Sequence, residues 1–161
     1  FLLSGPLAPR TQMDCLPSFI TASVHPRSAS LLEKGRTRKY TLILPFMSSI
    51  SLCNHASHSA VETLTDAPLQ NERWRGNIWF EGVPAWTEFD WIGREAMLGT
   101  VRLKIEERIT RCLATTVNTD TGVRDIDTLG ALKTMGHQDF GVYARIIETG
   151  QVAVGDQLEI I

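Results

Sequence analysis

The sequence predicts a mainly β protein, a β-barrel of short strands with a few short helices. Three observations predict it. The run 100–106 alternates strictly, with Val101, Leu103 and Ile105 on one side and Arg102, Lys104 and Glu106 on the other, the period-two signature of a half-buried strand. The other strand-like runs, at 40–44, 50–52, 73–80, 141–148 and 157–161, are short, and glycines at 82, 93, 99, 122, 136, 150 and 155 punctuate the chain between and around them. Helix-start signals are confined to three brief stretches, near 28–32, 54–64 and 127–135. Many short strands closed by glycine turns are how such barrels read.

Bulk properties narrow the function classes. The 161 residues fit one domain, or one domain with an appendage, and 43% hydrophobic content allows a real core. A net charge of -2 gives no overall attraction to nucleic acid. The three cysteines, Cys15, Cys53 and Cys112, are odd in number and form no CxxC pair, which argues against a disulfide scaffold and for a reducing, cytoplasmic setting. No apolar run approaches the roughly 20 residues of a membrane span. The start, Phe1-Leu2-Leu3, lacks both a basic region and an initiator Met, so it is read not as a signal peptide but as a fragment, a processed product or an incomplete gene model.

Residues 1–47 differ from the rest. They carry a surplus of arginine and lysine, and prolines at 6, 9, 17, 26 and 45 break any long helix. The basic cluster 34–39 reads as an anion site or, more simply, a solvated loop. From 48 the signals sharpen. Asn54 or Ser57 can N-cap a helix reaching Leu64, with Ser59 and Glu62 as a capping box and Val61 and Leu64 facing inward. The segment 54–57 then lies where free N–H groups and the helix dipole favour an anion. His55 and His58 sit one turn apart but lack a third metal ligand nearby.

In the run 73–80, Trp74, Ile78 and Phe80 fall on one strand face and Arg73, Arg75, Asn77 and Trp79 on the other. The second face offers guanidinium and amide donors suited to a phosphate or a heterocycle, or is simply a solvated face with a surface ion pair. Trp86, Phe89 and Trp91 read as packing anchors. In 127–135, Asp127 or Thr128 caps a helix whose Leu129, Leu132 and Met135 face inward, with Gly136 as the stop. Residues 152–156 read as a turn region before the closing strand.

The chemistry concentrates at 110–122. The strand at 100–106 delivers the chain to Arg111-Cys112, followed by Thr115-Thr116 and the turn 118–122. A thiol beside a guanidinium favours the thiolate, which attacks electrophiles and binds soft metals. The plain alternative is a small buried hydrophobe. No glycine-rich phosphate loop, Ser/His/Asp order or zinc spacing accompanies it.

The segment Arg111-Cys112-Leu113-Ala114-Thr115-Thr116-Val117-Asn118-Thr119-Asp120-Thr121-Gly122 resembles the cysteine motif of the MOSC domain, the C-terminal module of molybdenum cofactor sulfurases. Trp74-Arg75-Gly76-Asn77-Ile78, Phe140-Gly141-Val142-Tyr143 and Val152-Ala153-Val154-Gly155-Asp156 are similar to further segments of that family, in the same order. The likeness covers 48–161, with the branch of amidoxime-reducing proteins nearest in function. It implies a MOSC-like barrel and a molybdenum–pterin cofactor, with Cys112 as the catalytic residue and metal ligand. It also implies cofactor binding by Thr110 and Arg111, by Arg75 and Asn77, by Asn54 and Ser57 at the helix start, and by Tyr143. The implied reaction is reduction of N-hydroxylated small molecules, a molybdenum-dependent oxidoreductase fed by an electron-donating redox protein.

Family members place a further β-rich region ahead of this module, and residues 1–47 do not match it. They are read as its remnant or as a linker. Two other functions stay open on the same residues. One is a sulfur carrier in which Cys112 passes persulfide sulfur from a pyridoxal-phosphate-dependent cysteine desulfurase to a metal cofactor. The other is an inactive truncated fragment.

Overall fold

The computed structural model describes residues 21–24, 39–42 and 49–161. The elements, in chain order, are β1 (Thr21–Val24), β2 (Lys39–Leu42), β3 (Ser49–Asn54), α1 (His55–Thr65), a 3-10 turn at Asn71–Trp74, β4 (Ile78–Glu81), a second at Thr87–Trp91, β5 (Glu95–Leu98), β6 (Val101–Thr110), a third at Leu113–Thr116, α2 (Thr128–Thr134), β7 (Asp139–Glu148), β8 (Gly150–Ala153) and β9 (Leu158–Ile160). One sheet runs β1-β4-β3-β7-β6-β5-β9, and β2 pairs with β8. The strands wrap into a nearly closed barrel carrying two helices, mainly β as the sequence predicts.

Most neighbours are antiparallel, but β3 and β4 run parallel, Leu52 against Ile78 and Asn54 against Phe80. A parallel pair needs a crossover, and α1 with the first 3-10 turn supplies it. The long β6–β7 ladder is interrupted by irregularities between Ile105 and Glu107 and between Arg108 and Thr110. Such bulges bend a strand and re-aim its side chains, here as β6 approaches the cysteine.

Two apolar clusters hold the layers. Leu52, Phe80, Leu103, Ile105, Val142 and Ala144 fill the barrel, confirming the predicted alternation of β6. Cys53, Val61, Trp74, Trp79, Leu132 and Phe140 pack between sheet and helices, with Trp74 stacked on Phe140 at 3.9 Å between ring centroids. Truncating either ring to Ala removes on the order of 3–5 kcal/mol.

Several local expectations change. Asn54 alone is the N-cap of α1, its Oδ1 accepting from Ala56 N at 2.9 Å, so the Ser59–Glu62 box is interior to the helix. Leu64 and Met135, expected inward, are 46% and 38% exposed. Both sit at helix ends, where the backbone turns away from the core. The run 73–80 is not one strand: the 3-10 turn Asn71–Trp74 ends at Arg75 with φ 51, Arg73 is buried in that turn, and Trp79, on the face opposite Ile78 and Phe80, is buried because Cys53, Trp74 and Phe140 cover that face. Asp127 caps α2 through Gly130 N as expected, and the 152–156 turn begins later because β8 runs to Ala153. The expected helix start at 28–32 and the cluster 34–39 lie outside the described residues, apart from Lys39 in β2.

Candidate functional site

β6 ends at Thr110 and hands the chain to Cys112, whose extended backbone (φ -118, ψ 177) opens the third 3-10 turn. The Cys112 thiol is exposed, so the buried-hydrophobe reading fails for it. That reading fits Cys53 instead, where burial pushes the thiol up to about 12. Thr115 and Thr116 are buried, and their hydroxyls donate back to Cys112 O at 3.1 Å and Leu113 O at 2.7 Å, so they shape the turn.

A concave pocket of about 270 Å³ lies next to this strand end, lined by Ser51, Arg75, Asn77, Arg111 and Tyr143. Four of the residues named from the sequence thus converge, and Ser51 is the one that sequence reasoning missed. Its role follows from Asn77. The Asn77 Oδ1 accepts from both Ser51 N and Ser51 Oγ at 2.9 Å, and Asn77 N donates to Ser51 Oγ at 2.8 Å. This bonding pins the amide, and among the described residues its NH₂ group has no hydrogen-bond partner. Among the described residues the Arg75 guanidinium has no hydrogen-bond or ion-pair partner, and its left-handed backbone comes from ending the 3-10 turn. No carboxylate among the described residues lines the pocket. Its wall is guanidinium, amide and hydroxyl, a surface that receives an anion.

Arg111 works mainly as a strut. Its Nε and Nη2 donate to Phe140 O at 2.9 and 2.6 Å, and its Nη1 donates to Trp74 O at 2.6 Å. Nη2 also lies 3.9 Å from Cys53 Sγ. Burial pulls its guanidinium below the ordinary arginine value, while the nearby Cys53, Tyr143 and Cys112 act in the opposite direction. It brings positive charge to the pocket with few donors to spare.

The other named residues are engaged elsewhere. Thr110 Oγ1 donates to Asp139 Oδ1 at 2.7 Å. Asn54 and Ser57 are fully buried and do not line the pocket. Asn54 Nδ2 donates to Glu88 Oε2 at 3.0 Å and Ser57 Oγ to Glu88 Oε1 at 2.8 Å. The acidic group that the structure sets near the start of α1 is therefore Glu88, itself fully buried, whose carboxyl is held above the usual range by that burial despite the two hydrogen bonds. His58 is a satisfied core histidine: Trp74 Nε1 donates to its Nδ1 at 2.9 Å and its Nε2 meets Leu69 O at 3.1 Å. No cluster of three metal-ligating side chains occurs among the described residues.

A second network ties down the loop after Cys112. The buried Arg73 pairs with Asp125 at 2.7 Å, and Gln70 Nε2 donates to Asn118 Oδ1 at 3.1 Å and Asp120 Oδ2 at 2.7 Å. Residues 70–75 therefore fasten the cysteine loop, accept from Arg111 at Trp74 O, and present Arg75.

Comparison with known proteins agrees with the barrel. The chain is 30% identical over 146 residues to mitochondrial amidoxime-reducing component 1 of Xenopus laevis, covering 83% of this chain and 42% of that protein. It is 28% identical over 145 residues to mitochondrial amidoxime reducing component 2 of Homo sapiens, covering 76% and 43%. The chain thus spans less than half the length of these curated relatives. Among solved structures, YiiM from Escherichia coli superposes with a TM-score of 0.60 at 15% identity, covering 90% of this chain and 70% of that one. The YuaD protein from Bacillus subtilis gives 0.57 at 18%, covering 69% and 62%. These two likenesses concern the fold. The family profile described as "MOSC domain" matches residues 39–159, a range that takes in β2. The chain belongs to the MOSC domain family.

Proposed function

We propose that the chain holds a molybdenum–pterin cofactor, with Cys112 as thiolate ligand to the metal, as part of a reductase of N-hydroxylated compounds. The observation that carries this reading is the exposed Cys112 thiol, one residue after an arginine that walls a pocket lined, among the described residues, by Ser51, Arg75, Asn77, Arg111 and Tyr143. The residues present fit the group: a soft sulfur for the metal, guanidinium for a phosphate, amide and hydroxyl for a heterocycle. When bound, the cofactor supplies two-electron redox chemistry, so that two electrons from a partner redox protein and two protons break an N–O bond and release water.

The chain's own residues bind and orient. Arg75 meets the anionic end of the ligand with its guanidinium. Asn77, pinned by Ser51, presents its NH₂ group, and Tyr143 offers its hydroxyl. Arg111 holds the pocket wall through the Trp74 and Phe140 carbonyls, and Thr110 fixes the last rung before Cys112 through Asp139. Asn54 and Ser57 serve from beneath by anchoring Glu88. The relatives named for amidoxime reduction support this assignment of substrate class.

Molybdenum content of the purified chain after reconstitution with the cofactor tests the reading. It predicts stoichiometric metal in the wild type and in Cys15→Ala, and none in Cys112→Ala. Metal retained by Cys112→Ala refutes it. A second reading draws on the exposure of the thiol, since a sulfur carrier needs reach more than enclosure. In it, the Cys112 thiolate attacks the terminal sulfur of a cysteine desulfurase persulfide, and the desulfurase leaves as a thiolate. Labelled sulfur appearing on Cys112 of metal-free protein, in the presence of the pyridoxal-phosphate enzyme, selects it. A chain that takes up neither metal nor sulfur is the inactive fragment.

A further inference from the structure

The chain after Cys112 folds into a small loop of its own. Thr115 N and Thr115 Oγ1 each donate to Cys112 O at 3.1 Å, and Asp125 N returns to Thr116 O at 3.2 Å. Between these points Val117 bridges Arg124 in antiparallel fashion, and Asn118 N donates to Val123 O at 2.8 Å. Gly122, at φ 71, supplies the left-handed residue that the reversal needs. Asn118 Oδ1 accepts from Asp120 N at 2.9 Å and from Thr121 N at 3.2 Å, so the tip keeps its own shape.

None of these bonds sets where the loop stands relative to the pocket. Two side chains from one short segment do. At the base, Arg73 pairs with Asp125 at 2.7 Å, and Asn118 Nδ2 donates to the same carboxylate at 2.9 Å. At the tip, Gln70 uses both ends of its amide. Its Nε2 donates to Asn118 Oδ1 at 3.1 Å and Asp120 Oδ2 at 2.7 Å, while its Oε1 accepts from Thr119 N at 3.0 Å. That set needs a donor and an acceptor on one side chain, which neither a carboxylate nor an apolar residue of the same length supplies.

The segment 70–75 is itself braced. Arg73 N donates to Gln70 O at 3.2 Å and Arg75 N to Glu72 O at 3.0 Å. Trp74 is fully buried, stacked on Phe140, and its carbonyl accepts from Arg111 Nη1. One turn thus gives Gln70 and Arg73 to the cysteine loop and Arg75 to the pocket. Cys112 follows the pocket residue Arg111 directly, and its thiol lies near enough to bear on the charge of that guanidinium.

We infer that Gln70 is a positioning residue: from the turn that presents Arg75 it holds the loop after Cys112, and so fixes how far the thiol stands from the guanidinium-lined pocket. The inference rests on the reading that thiol and pocket serve one ligand, and it adds the residue that sets their spacing. Bonds exposed to this degree add little to global stability, so their effect falls on placement.

The test uses metal-free full chain and compares alkylation of Cys112 by iodoacetate and by iodoacetamide at low ionic strength, read by mass spectrometry of the peptides. Both reagents are attacked by the thiolate, so the ratio of their rates cancels its ionisation and reports the positive field around the sulfur. The ratio in the wild type is expected to exceed that of a free cysteine peptide by at least about threefold. Gln70→Met, which changes no charge, is expected to bring it most of the way back to the peptide value with the urea midpoint unmoved. Arg75→Gln is expected to lower the same ratio with the Gln70 contacts intact. The pair Gln70→Glu with Asp120→Asn exchanges donor and acceptor at constant net charge and is expected to recover at least half of the loss. A wild-type ratio equal to that of the peptide, or an unchanged ratio in Gln70→Met or in Arg75→Gln, overturns the inference. Molybdenum bound stoichiometrically while Gln70→Met keeps the full ratio removes the positioning role alone and leaves the reductase reading standing. A ratio that falls in Gln70→Met and recovers in the exchanged pair, in a chain that never takes up molybdenum, does the reverse.

Discussion

Glu88→Gln isolates the one fully buried carboxyl among the described residues. Glu88 is 0% exposed and bridges Asn54 Nδ2 and Ser57 Oγ, with no cation among its hydrogen-bond partners. Burial raises its folded-state value above the ordinary glutamate range, and the two hydrogen bonds offset this only in part. The folded chain therefore keeps a proton that the unfolded chain has released. The stabilisation is complete below the unfolded glutamate value of about 4.3 and is lost as pH rises through the elevated folded value, at about 1.4 kcal/mol for each unit of elevation. Glutamine mimics the neutral acid. It keeps one acceptor and turns the other position into a donor, which Ser57 Oγ can meet, so the substitution costs about 1 kcal/mol at acid pH. Urea unfolding of both proteins from about pH 4 to pH 9 reads the difference, since the range spans the ordinary and a raised glutamate value. His58, lowered by burial, destabilises the fold as pH falls, but it is present in both proteins and cancels. The wild type should lose its advantage over Glu88→Gln as pH rises. A constant difference across the range would show that Glu88 titrates as an ordinary carboxylate, and the account of the Asn54–Ser57–Glu88 network would fail.

Two further outcomes follow from the same geometry. Gly141 has φ 75, and a Cβ there would stand 2.6 Å from Leu52 O and 3.2 Å from Cys53 Sγ, so Gly141→Ala should cost at least about 2 kcal/mol and lower the thermal midpoint. In native protein, iodoacetamide should alkylate Cys112 and spare Cys53, which is buried with a thiol pushed up to about 12; mass spectrometry of the peptides decides it, and modification of Cys53 at the rate of Cys112 would contradict the packing described.

The regular parts of the fold were legible because their signal is local. The alternation of β6 survives to Ile105, and the caps of α1 and α2 lie where Asn54 and Asp127 put them. The candidate residues Arg75, Asn77, Arg111 and Tyr143 were reachable through their motifs, and they line one pocket. Ser51 was not, because its part depends on Asn77, 26 residues away. The start of α1 shows the same limit from the other side. A helix N-terminus does favour a negative group, but Glu88 is separated from Ser57 by 31 residues, and no local pattern announces it. Arg73 and Trp79 were misplaced for long-range reasons: Arg73 lies in a 3-10 turn and pairs with Asp125, 52 residues on, and Trp79 keeps the face opposite Ile78 and Phe80 but is covered there by the second apolar cluster.

The bracing by Arg111 bears on how binding defects in this family are interpreted. One guanidinium ties the Trp74 carbonyl to the Phe140 carbonyl, so the segment that displays Arg75 and the first rungs of β7 travel as a single body. Replacing Arg111 would unhitch that body, and a lost ligand would then report on architecture and charge at once. Arg75 carries no such mechanical duty, and its replacement is the cleaner gauge of what the pocket recognises.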